Sequence, residues 1–437
     1  MPPFPRFCFA LMLLLAAFAF CSPAARAADA PAAATESAPP PTDFWSQPNL
    51  LGDADGWRTQ LGDTGWQPFA TLMTELWDNT RGGIRNGMTN DLLLNFGGEA
   101  DLAKLAGWDG AALRASFEWI QSNHPNHNTG ALNPPTNIDA SDQIRVYNLY
   151  LRQKLGQLTL KIGQIGADDD FAQTPGSGLF LNPGVTAPPN LYNQTLADGD
   201  AAVPHFPTDA PGIFARYDAK DLPIYTQLEV SLCDAGPDVS NNHGFDWRGS
   251  NGAMFAAEAG WNYHVAQLPG TVAVGGFQMD GRFTNWDSGA QERGIYGCYG
   301  FVTQTLVQSP GSDGGDPQPV ITVFLFGGMA GPNNRVGPSA DCASGINWNG
   351  PLPSRAKDVA GIALLHTRFS PDFTRSAFNP NGPGVTTAAE TVVELTYQAV
   401  LAPWLNLQPD LQVIFNPANA GTRSTAVVIG ARATLSF

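Results

Sequence analysis

Beyond its first twenty residues, the sequence has no apolar run of the ~18 residues that a membrane-spanning helix requires. The longest candidate, Val320 to Ala330, is too short. Cysteine is also scarce: after residue 27 only Cys233, Cys298 and Cys342 occur, and their spacing matches no zinc or haem motif. An odd number of cysteines predicts at least one unpaired thiol, although a Cys233–Cys342 bridge between two loops stays open.

Positive charge is the second scarcity. The chain has 23 Lys and Arg residues against 39 Asp and Glu residues, which gives a formal net charge of −16. An acidic chain of this kind does not attract phosphate backbones, so we expect no nucleic-acid partner. No motif for a cofactor is present either, and none is expected.

The N-terminus has the three parts of an export signal. Arg6 supplies the positive charge, residues 7–20 are almost entirely apolar, and Ala25-Arg26-Ala27 offers a cleavage site between small residues. We therefore predict a signal peptide at residues 1–27. The Ala- and Pro-rich residues 28–43 show no apolar period and are predicted to form a disordered tether.

The dominant period in the rest of the chain is two. Segments of about ten residues alternate apolar and polar side chains, as from Ile224 to Leu232 and from Val393 to Ala399. A soluble sandwich would also alternate, so the connections must distinguish the two folds. Tight turns alternate with long polar loops, predicted at residues 122–142, 167–211, 234–252 and 331–356. Short turns on one side and long loops on the other indicate a membrane barrel.

Counting strands under this rule gives fifteen, and the alternation fails once, between residues 369 and 390. A turn at Ser370-Pro371-Asp372 followed by a strand near residues 373–378 restores it and gives sixteen. We therefore predict an all-β fold: a transmembrane antiparallel up-and-down β-barrel over residues 66–437, ending on the aromatic residue Phe437. Sixteen strands enclose an aqueous channel. Residues 44–65 are predicted to form a short periplasmic helical segment, capped by Asp53 and running through Leu61.

Several motifs together resemble the carbohydrate-selective porins of the OprB family, over nearly the whole chain from Leu50 to Phe437. They are Gly56 to Leu61, Glu75, Asn79, Gly82 to Gly87, Asp101 to Gly110, Arg145 to Tyr147, Gly163-Gln164, Asp168 to Phe171, Leu179 to Asn182, Glu390, Glu394 to Gln398, Pro403 to Leu405, Gln408 to Gln412, and Asn416-Pro417. The resemblance implies a sixteen-stranded porin of the bacterial outer membrane that conducts monosaccharides such as glucose by diffusion. The chain has Arg85-Asn86 where the family often has two arginines, and Asn148 where it often has an acid.

A sugar channel needs charged or amide groups for hydroxyls and flat aromatic surfaces for sugar rings. Candidate channel residues are Glu75, Trp77, Arg81, Arg85, Arg114, Glu118, Asn148 and Arg152. Arg81 and Arg85 lie in a Gly-rich first loop that is expected to fold inward. The alternative for each polar residue is a lumen side chain that only contacts water. The alternative for each tryptophan is an anchor at the membrane interface.

Fewer residues of the sequence support other functions. A general porin for ions and small solutes is the first alternative. A barrel enzyme would need a grouping such as His366 with Ser354 and Asp358, and its spacing has no recognised signature. His124 and His127, or Asp168 to Asp170, could bind a metal, but both lack the usual accompanying ligands, so we expect no metal site. Outer-membrane lipid, lipopolysaccharide and further copies of the chain in a homo-oligomer are the expected partners.

Overall fold

The computed structural model describes residues 43–437 except 198, 234–242, 246, 248, 311–317, 381–387 and 420. The predicted signal peptide (1–27) and residues 28–42 of the predicted tether lie outside the described residues. No helix in the described ranges is both long and apolar enough to cross a membrane.

Sixteen strands make up most of the described chain. They are β1 (Trp66–Gly83), β2 (Gly87–Asp101), β3 (Ala111–Ser122), β4 (Gln143–Leu155), β5 (Leu158–Ile165), β6 (Ala210–Asp218), β7 (Ile224–Leu232), β8 (Ala253–Val265), β9 (Leu268–Thr284), β10 (Gln291–Ser309), β11 (Gln318–Gly331), β12 (Pro338–Asn349), β13 (Val359–Phe369), β14 (Ala389–Ala402), β15 (Leu405–Phe415) and β16 (Ser424–Ser436). The α-helices are α1 (Trp57–Thr64), α2 (Leu102–Ala106), α3 (Asn126–Thr129), α4 (Pro183–Thr186), α5 (Pro189–Tyr192) and α6 (Pro371–Arg375).

Each strand pairs antiparallel with the next, and β1 pairs with β16, so the sheet closes into a barrel. The closing register places Glu75 opposite Arg432 and Leu72 opposite Leu435. Closure leaves no unpaired strand edge, which is how a β-sheet satisfies its backbone groups within lipid. The predicted fold class and the count of sixteen are confirmed.

The alternation of side chains gives the barrel an apolar outer surface. On β7, Leu228 and Val230 point outward and are exposed, whereas Gln227 and Glu229 point inward and are buried. Outward aromatic side chains recur where strands end near the short turns: Trp66, Tyr217, Trp261 and Trp348. An apolar band bordered by aromatic residues is typical of a barrel that contacts lipid.

The connections define two ends of the barrel. The long-loop rim carries the connections 84–86, 123–142, 166–209, 233–252, 285–290, 332–337, 370–388 and 416–423. The terminal rim carries the shorter turns together with the N-terminal helix and the chain end. The longest connections therefore all lie at one rim, but length does not alternate strictly, because the long-loop rim includes the short connection 84–86 and the terminal rim includes the longer connection 102–110.

The position predicted for the sixteenth strand was wrong. Residues 371–375 form the helix α6, which Ser370 caps by accepting a hydrogen bond from the Phe373 N–H at 3.0 Å. The missing strand is β12, inside the segment predicted to be a long loop at 331–356. Its outward face includes Cys342, Ser344 and Ile346, which is too weakly apolar to resemble a membrane strand in sequence.

The N-terminal helix is present, but it begins later than predicted. Gly56 precedes α1 with a positive φ of 87°. Asp53 instead accepts hydrogen bonds from the N–H and the hydroxyl of Thr59, at 2.8 and 2.9 Å. No residue of α1 is buried, and Lys104 donates a hydrogen bond to the Gly62 carbonyl at 2.7 Å. The helix therefore lies beside the terminal rim and does not plug the lumen.

The open possibility of a Cys233–Cys342 bridge does not fit the fold. Cys342 lies within β12, paired with Gly327 and His366, and is not in a loop. Cys233 directly follows β7, five strands away around the wall. At about 4.8 Å per strand the two cysteines are roughly 24 Å apart, whereas a disulfide needs Cα atoms within about 7 Å.

Candidate functional site

Two long loops fold into the barrel and narrow its lumen. In the 166–209 loop, Phe171, Phe180, Leu181 and Leu191 are each at most 1% exposed. Large side chains of a surface loop would not be buried to this extent. The 123–142 loop likewise buries Asn133 and Thr136 against the wall. The remaining passage is therefore much narrower than the sixteen-stranded wall alone would leave.

Carboxylates on the lumen wall hold the 166–209 loop in place. They accept hydrogen bonds from backbone N–H groups that would otherwise be buried without partners. The pairs are Glu258 with Ala172 at 2.9 Å, Glu394 with Leu181 at 2.6 Å, and Asp341 with Asn190 at 2.6 Å. These wall acids therefore fix the shape of the lumen.

The 123–142 loop is held by β14 and its neighbour β15. Glu390 on β14 accepts hydrogen bonds from the N–H groups of Leu132 and Asn133, at 2.8 and 2.9 Å. Gln412 on β15 donates a hydrogen bond to the Pro135 carbonyl at 2.7 Å. Both inward loops are thus anchored to β14 and the strands beside it.

The predicted channel residues Glu75 and Trp77 share the inward face of β1, but they contact protein. Trp77 is 1% exposed, and its indole N–H donates to Glu75 Oε2 at 2.7 Å. Arg432 donates a hydrogen bond to the other oxygen of Glu75 and another to Asn137 of the 123–142 loop. Trp77 therefore presents no open ring face to a solute. Arg432 was not among the predicted residues, and the antiparallel closure of β1 on β16 places it opposite Glu75.

Glu118 and Asn148 are also buried on the inward face. Glu118 accepts a hydrogen bond from Asn95 at 3.2 Å. The amide of Asn148 donates to Asp209 at 2.5 Å and to Asp169 at 3.3 Å. An acid at position 148 would face both carboxylates and could not donate to them. The neutral asparagine found there donates hydrogen bonds to these acidic residues of the 166–209 loop.

Three aspartates of the 166–209 loop, Asp168, Asp169 and Asp209, have raised pKa values. Burial raises the pKa of Asp169 to about 7, and the negative charges of Asp168 and Asp170 add to the effect. Burial also raises the pKa of Asp168 to about 6. The pKa of Asp209 lies well above its usual value, first through burial and then through Asp169 and Asp168. Asp168 and Asp169 therefore change charge near neutral pH.

Inward side chains that keep solvent exposure mark the open part of the lumen, because an inward group can meet only lumen water. Such cations cluster on β3 to β6, and most lie over an aromatic ring. Arg114 lies 4.6 Å from the Phe69 ring centre, Lys161 lies 5.0 Å from that of Phe214, and Arg216 lies 4.1 Å from that of Tyr225. We call Arg114, Lys161, Arg216 and these three rings the cation–aromatic wall.

The cations of this part of the lumen differ in their acidic partners. Lys161 pairs with Asp170 at 2.7 Å, and Arg152 pairs with Glu99 at 2.5 Å. Arg114 has no carboxylate within ion-pair distance among the described residues. Arg114, and to a lesser extent Arg152, are therefore the predicted residues best placed to meet a passing solute.

The other two predicted arginines lie at the long-loop rim. Arg81 is exposed beside a β-bulge near the end of β1. The first connection has only three residues and does not fold inward, contrary to expectation. Arg85 instead donates from Nε to Asn128 Oδ1 at 2.8 Å and borders a cavity of about 700 Å³ at the rim.

The grouping considered for an enzyme does not assemble. His366 is exposed on the outer face of β13 and contacts the Thr391 hydroxyl at 2.9 Å. Asp358 lies at the other end of that strand, roughly 27 Å away at about 3.4 Å per residue, with Arg355 and Tyr397 as partners. Among the described residues, no group of three or more His, Cys, Asp or Glu side chains is arranged to hold a metal.

Comparisons with known proteins give a consistent result. The chain matches the family described as carbohydrate-selective porin, OprB family, over residues 85–437. It is 24% identical to the putative porin QuiX of Acinetobacter baylyi, over 90% of this chain and 95% of that protein. It is also 24% identical to porin B of Pseudomonas aeruginosa, over 89% of this chain and 91% of that protein. The high-pH structure of Pseudomonas putida OprB has the same fold, with a TM-score of 0.79, 18% identity, and coverage of 90% of this chain and all of that one.

Proposed function

Because this chain belongs to the OprB family of carbohydrate-selective porins, we propose that it lets small sugars such as glucose diffuse passively across the bacterial outer membrane. The family and the fold are those of a channel rather than an enzyme. The sugar preference rests on the cation–aromatic wall, which is the observation that carries the proposal.

The cation–aromatic wall can make two kinds of contact with a sugar: hydrogen bonds to its hydroxyl groups and apolar contacts with its ring. The guanidinium of Arg114 and the ammonium of Lys161 donate hydrogen bonds to hydroxyl groups. The half-buried ring of Phe69, beside Arg114, offers a flat apolar surface to the C–H face of a pyranose. Because Arg114 and Phe69 are both partly exposed to lumen water, binding stays weak enough for the solute to leave, as passage through a channel requires.

A general porin is the second candidate, and the acidic 166–209 loop favours it. Asp169, which is exposed, and the half-buried Asp168 would interact with any passing cation, and nothing in that interaction requires a hydroxyl group. The two candidates differ in whether neutral sugars pass faster than neutral solutes of equal size that lack ring hydroxyls.

Liposomes containing the purified protein test the proposal. We expect glucose to equilibrate quickly and to saturate at high concentration, and we expect a neutral polyether of similar size to pass more slowly. Ion conductance with equal rates for both neutral solutes would contradict sugar selectivity and leave the general porin.

Contacts with lipopolysaccharide and assembly into a homo-oligomer stay predictions, which native mass spectrometry from detergent would check.

A further inference from the structure

We propose that the cavity at the long-loop rim, bordered by Arg85 and Arg423, binds small hydroxylated carboxylates such as sugar acids before they enter the lumen. This inference depends in part on the proposed function, which is the reason to expect a hydroxylated ligand. The carboxylate is inferred from the cavity alone. Five connections meet at this cavity, and its volume of about 700 Å³ falls within the roughly 300–1,000 Å³ of small-molecule sites.

The two guanidinium groups are brought together by one short piece of the 123–142 loop. Arg85 Nε donates to Asn128 Oδ1 at 2.8 Å, and Arg423 Nη1 donates to the Gly130 carbonyl at 2.6 Å. The acceptors are two residues apart in the chain. Because a guanidinium carries five N–H donors, each arginine keeps donors for a ligand. Two guanidinium groups fixed by separate loops suit a carboxylate, which accepts several hydrogen bonds at once.

The charge around the cavity has the opposite sign to the chain as a whole. No aspartate or glutamate is among the described residues that line it, whereas the complete sequence carries a net charge of −16. Three carboxylates lie behind the lining and accept hydrogen bonds from its backbone N–H groups: Glu390 from Leu132 and Ala418, Asp200 from Leu196, and Asp139 from Asn126. Those carboxylates are occupied by backbone donors, whereas the guanidinium groups of Arg85 and Arg423 border the cavity itself, so the two arginines are the charged groups that a ligand would contact.

The rest of the lining explains why a bare inorganic anion is the poorer ligand. Ile84, Leu132, Leu196 and Phe373 contribute apolar surface, and Thr195 and His127 add polar groups. A ring-sized body with a carboxylate at one end would cover the apolar part and still reach both guanidinium groups. Phosphate or chloride could use only the guanidinium groups.

Calorimetric titration of the purified full-length protein with D-glucuronate tests the site without requiring transport. We expect glucuronate to bind more tightly than glucose, and we expect R85Q and R423Q each to weaken it by about ten-fold, the usual cost of losing a charged hydrogen bond. R293Q is the matched control, because Arg293 is an exposed cation at the same rim that pairs with Asp280 and lies outside the cavity. Heat-shifted gel mobility confirms that each barrel is folded. Arg85 lies in an exposed connection, so R85Q tests the site even if R423Q does not fold.

Three results would overturn the inference: equal affinity for glucuronate in wild type and R85Q, glucuronate binding no tighter than glucose, or inorganic phosphate displacing glucuronate at equal concentration. Glucose uptake into liposomes is measured separately. Failed glucose uptake with intact glucuronate binding would refute the proposed function alone. Intact glucose uptake with no glucuronate binding would refute this inference alone.

Discussion

Glu390 and Glu394 lie four residues apart on the inward face of β14, and each holds a different loop inside the barrel. Residues at this spacing on a strand are roughly 13 Å apart and share one face. Glu390 holds the 123–142 loop nearer the long-loop rim, and Glu394 holds the 166–209 loop deeper in the lumen. One strand thus contributes to the narrowing at two depths, and the two loops also contact each other, because the Asn182 amide donates to the Pro134 carbonyl at 3.0 Å.

Replacing Glu394 by alanine should widen the channel. The backbone N–H groups of Leu181 and Asn182 lose their carboxylate acceptor, and hydrogen bonds to charged groups contribute about 1.5–3 kcal/mol each. We expect higher single-channel conductance in planar bilayers and weaker discrimination between monosaccharides and disaccharides. Q398A is the matched control, because Gln398 lies on the same face of β14 and, within the described part of the chain, its amide donates to Gln408 at 3.4 Å and to neither inward loop. Equal conductance in E394A and wild type would show that this carboxylate does not set the lumen width.

Ion selectivity should change between pH 5 and pH 8. The pKa of Asp169 is raised to about 7 and that of Asp168 to about 6, so both lose their protons within this range. The added negative charge should increase the preference for cations, measured as a reversal potential across a salt gradient. D169N should flatten the change, whereas D287N, at an exposed position in the 285–290 connection, should keep it. A pH response that is unchanged in D169N would assign the titration to other groups.

The same shifts predict how firmly the acidic loop stays docked. An ordinary aspartate loses its proton near pH 3.8, whereas the raised pKa of Asp169 keeps its proton in place up to about pH 7 in the folded protein. The folded state therefore binds more protons between these values, and stability falls as the pH rises. Docking should be firmest at the acid end of this window and weakest above about pH 7. Hydrogen exchange of the amides around Asp169 should accelerate as the pH rises, after correction for intrinsic exchange.

Arg114 should matter more for sugar passage than Arg81, although both were predicted from the sequence. Arg114 faces lumen water over the Phe69 ring, whereas Arg81 is exposed near the long-loop rim. We expect R114Q to slow glucose uptake into liposomes several-fold by removing a charged donor, and R81Q to leave it within about two-fold. A stronger effect of R81Q than of R114Q would move the selective step from the cation–aromatic wall to the rim.

The fold was predictable because its signal repeats. Alternation in β7 and β14 and the alternating connection lengths gave the barrel, its count of strands and the faces of Leu228 and Glu229. The candidate site was less predictable. The sequence indicated that Glu75 and Trp77 point inward. Their contacts were not predictable, because Arg432, which donates a hydrogen bond to Glu75, comes from the far end of the chain. The two inward loops were recognised as long loops, and their docking on Glu390 and Glu394 depends on long-range contacts that alternation does not encode.

The strand β12, which was predicted at residues 373–378 instead, allows a direct test of which segment contacts lipid. Ile346 on β12 is exposed on the outer face, and Phe378, in the segment first predicted to be that strand, is exposed in the 370–388 connection. A charge facing lipid costs about 2–4 kcal/mol at the bilayer midplane and less near the interface, so we expect I346R to lower the free energy of unfolding by about 2 kcal/mol. F378R should change it by no more than about 0.5 kcal/mol, as is usual for exposed positions in loops. Urea unfolding in lipid vesicles measures both variants. A larger cost for F378R would mean that residues 373–378, and not β12, lie in the membrane.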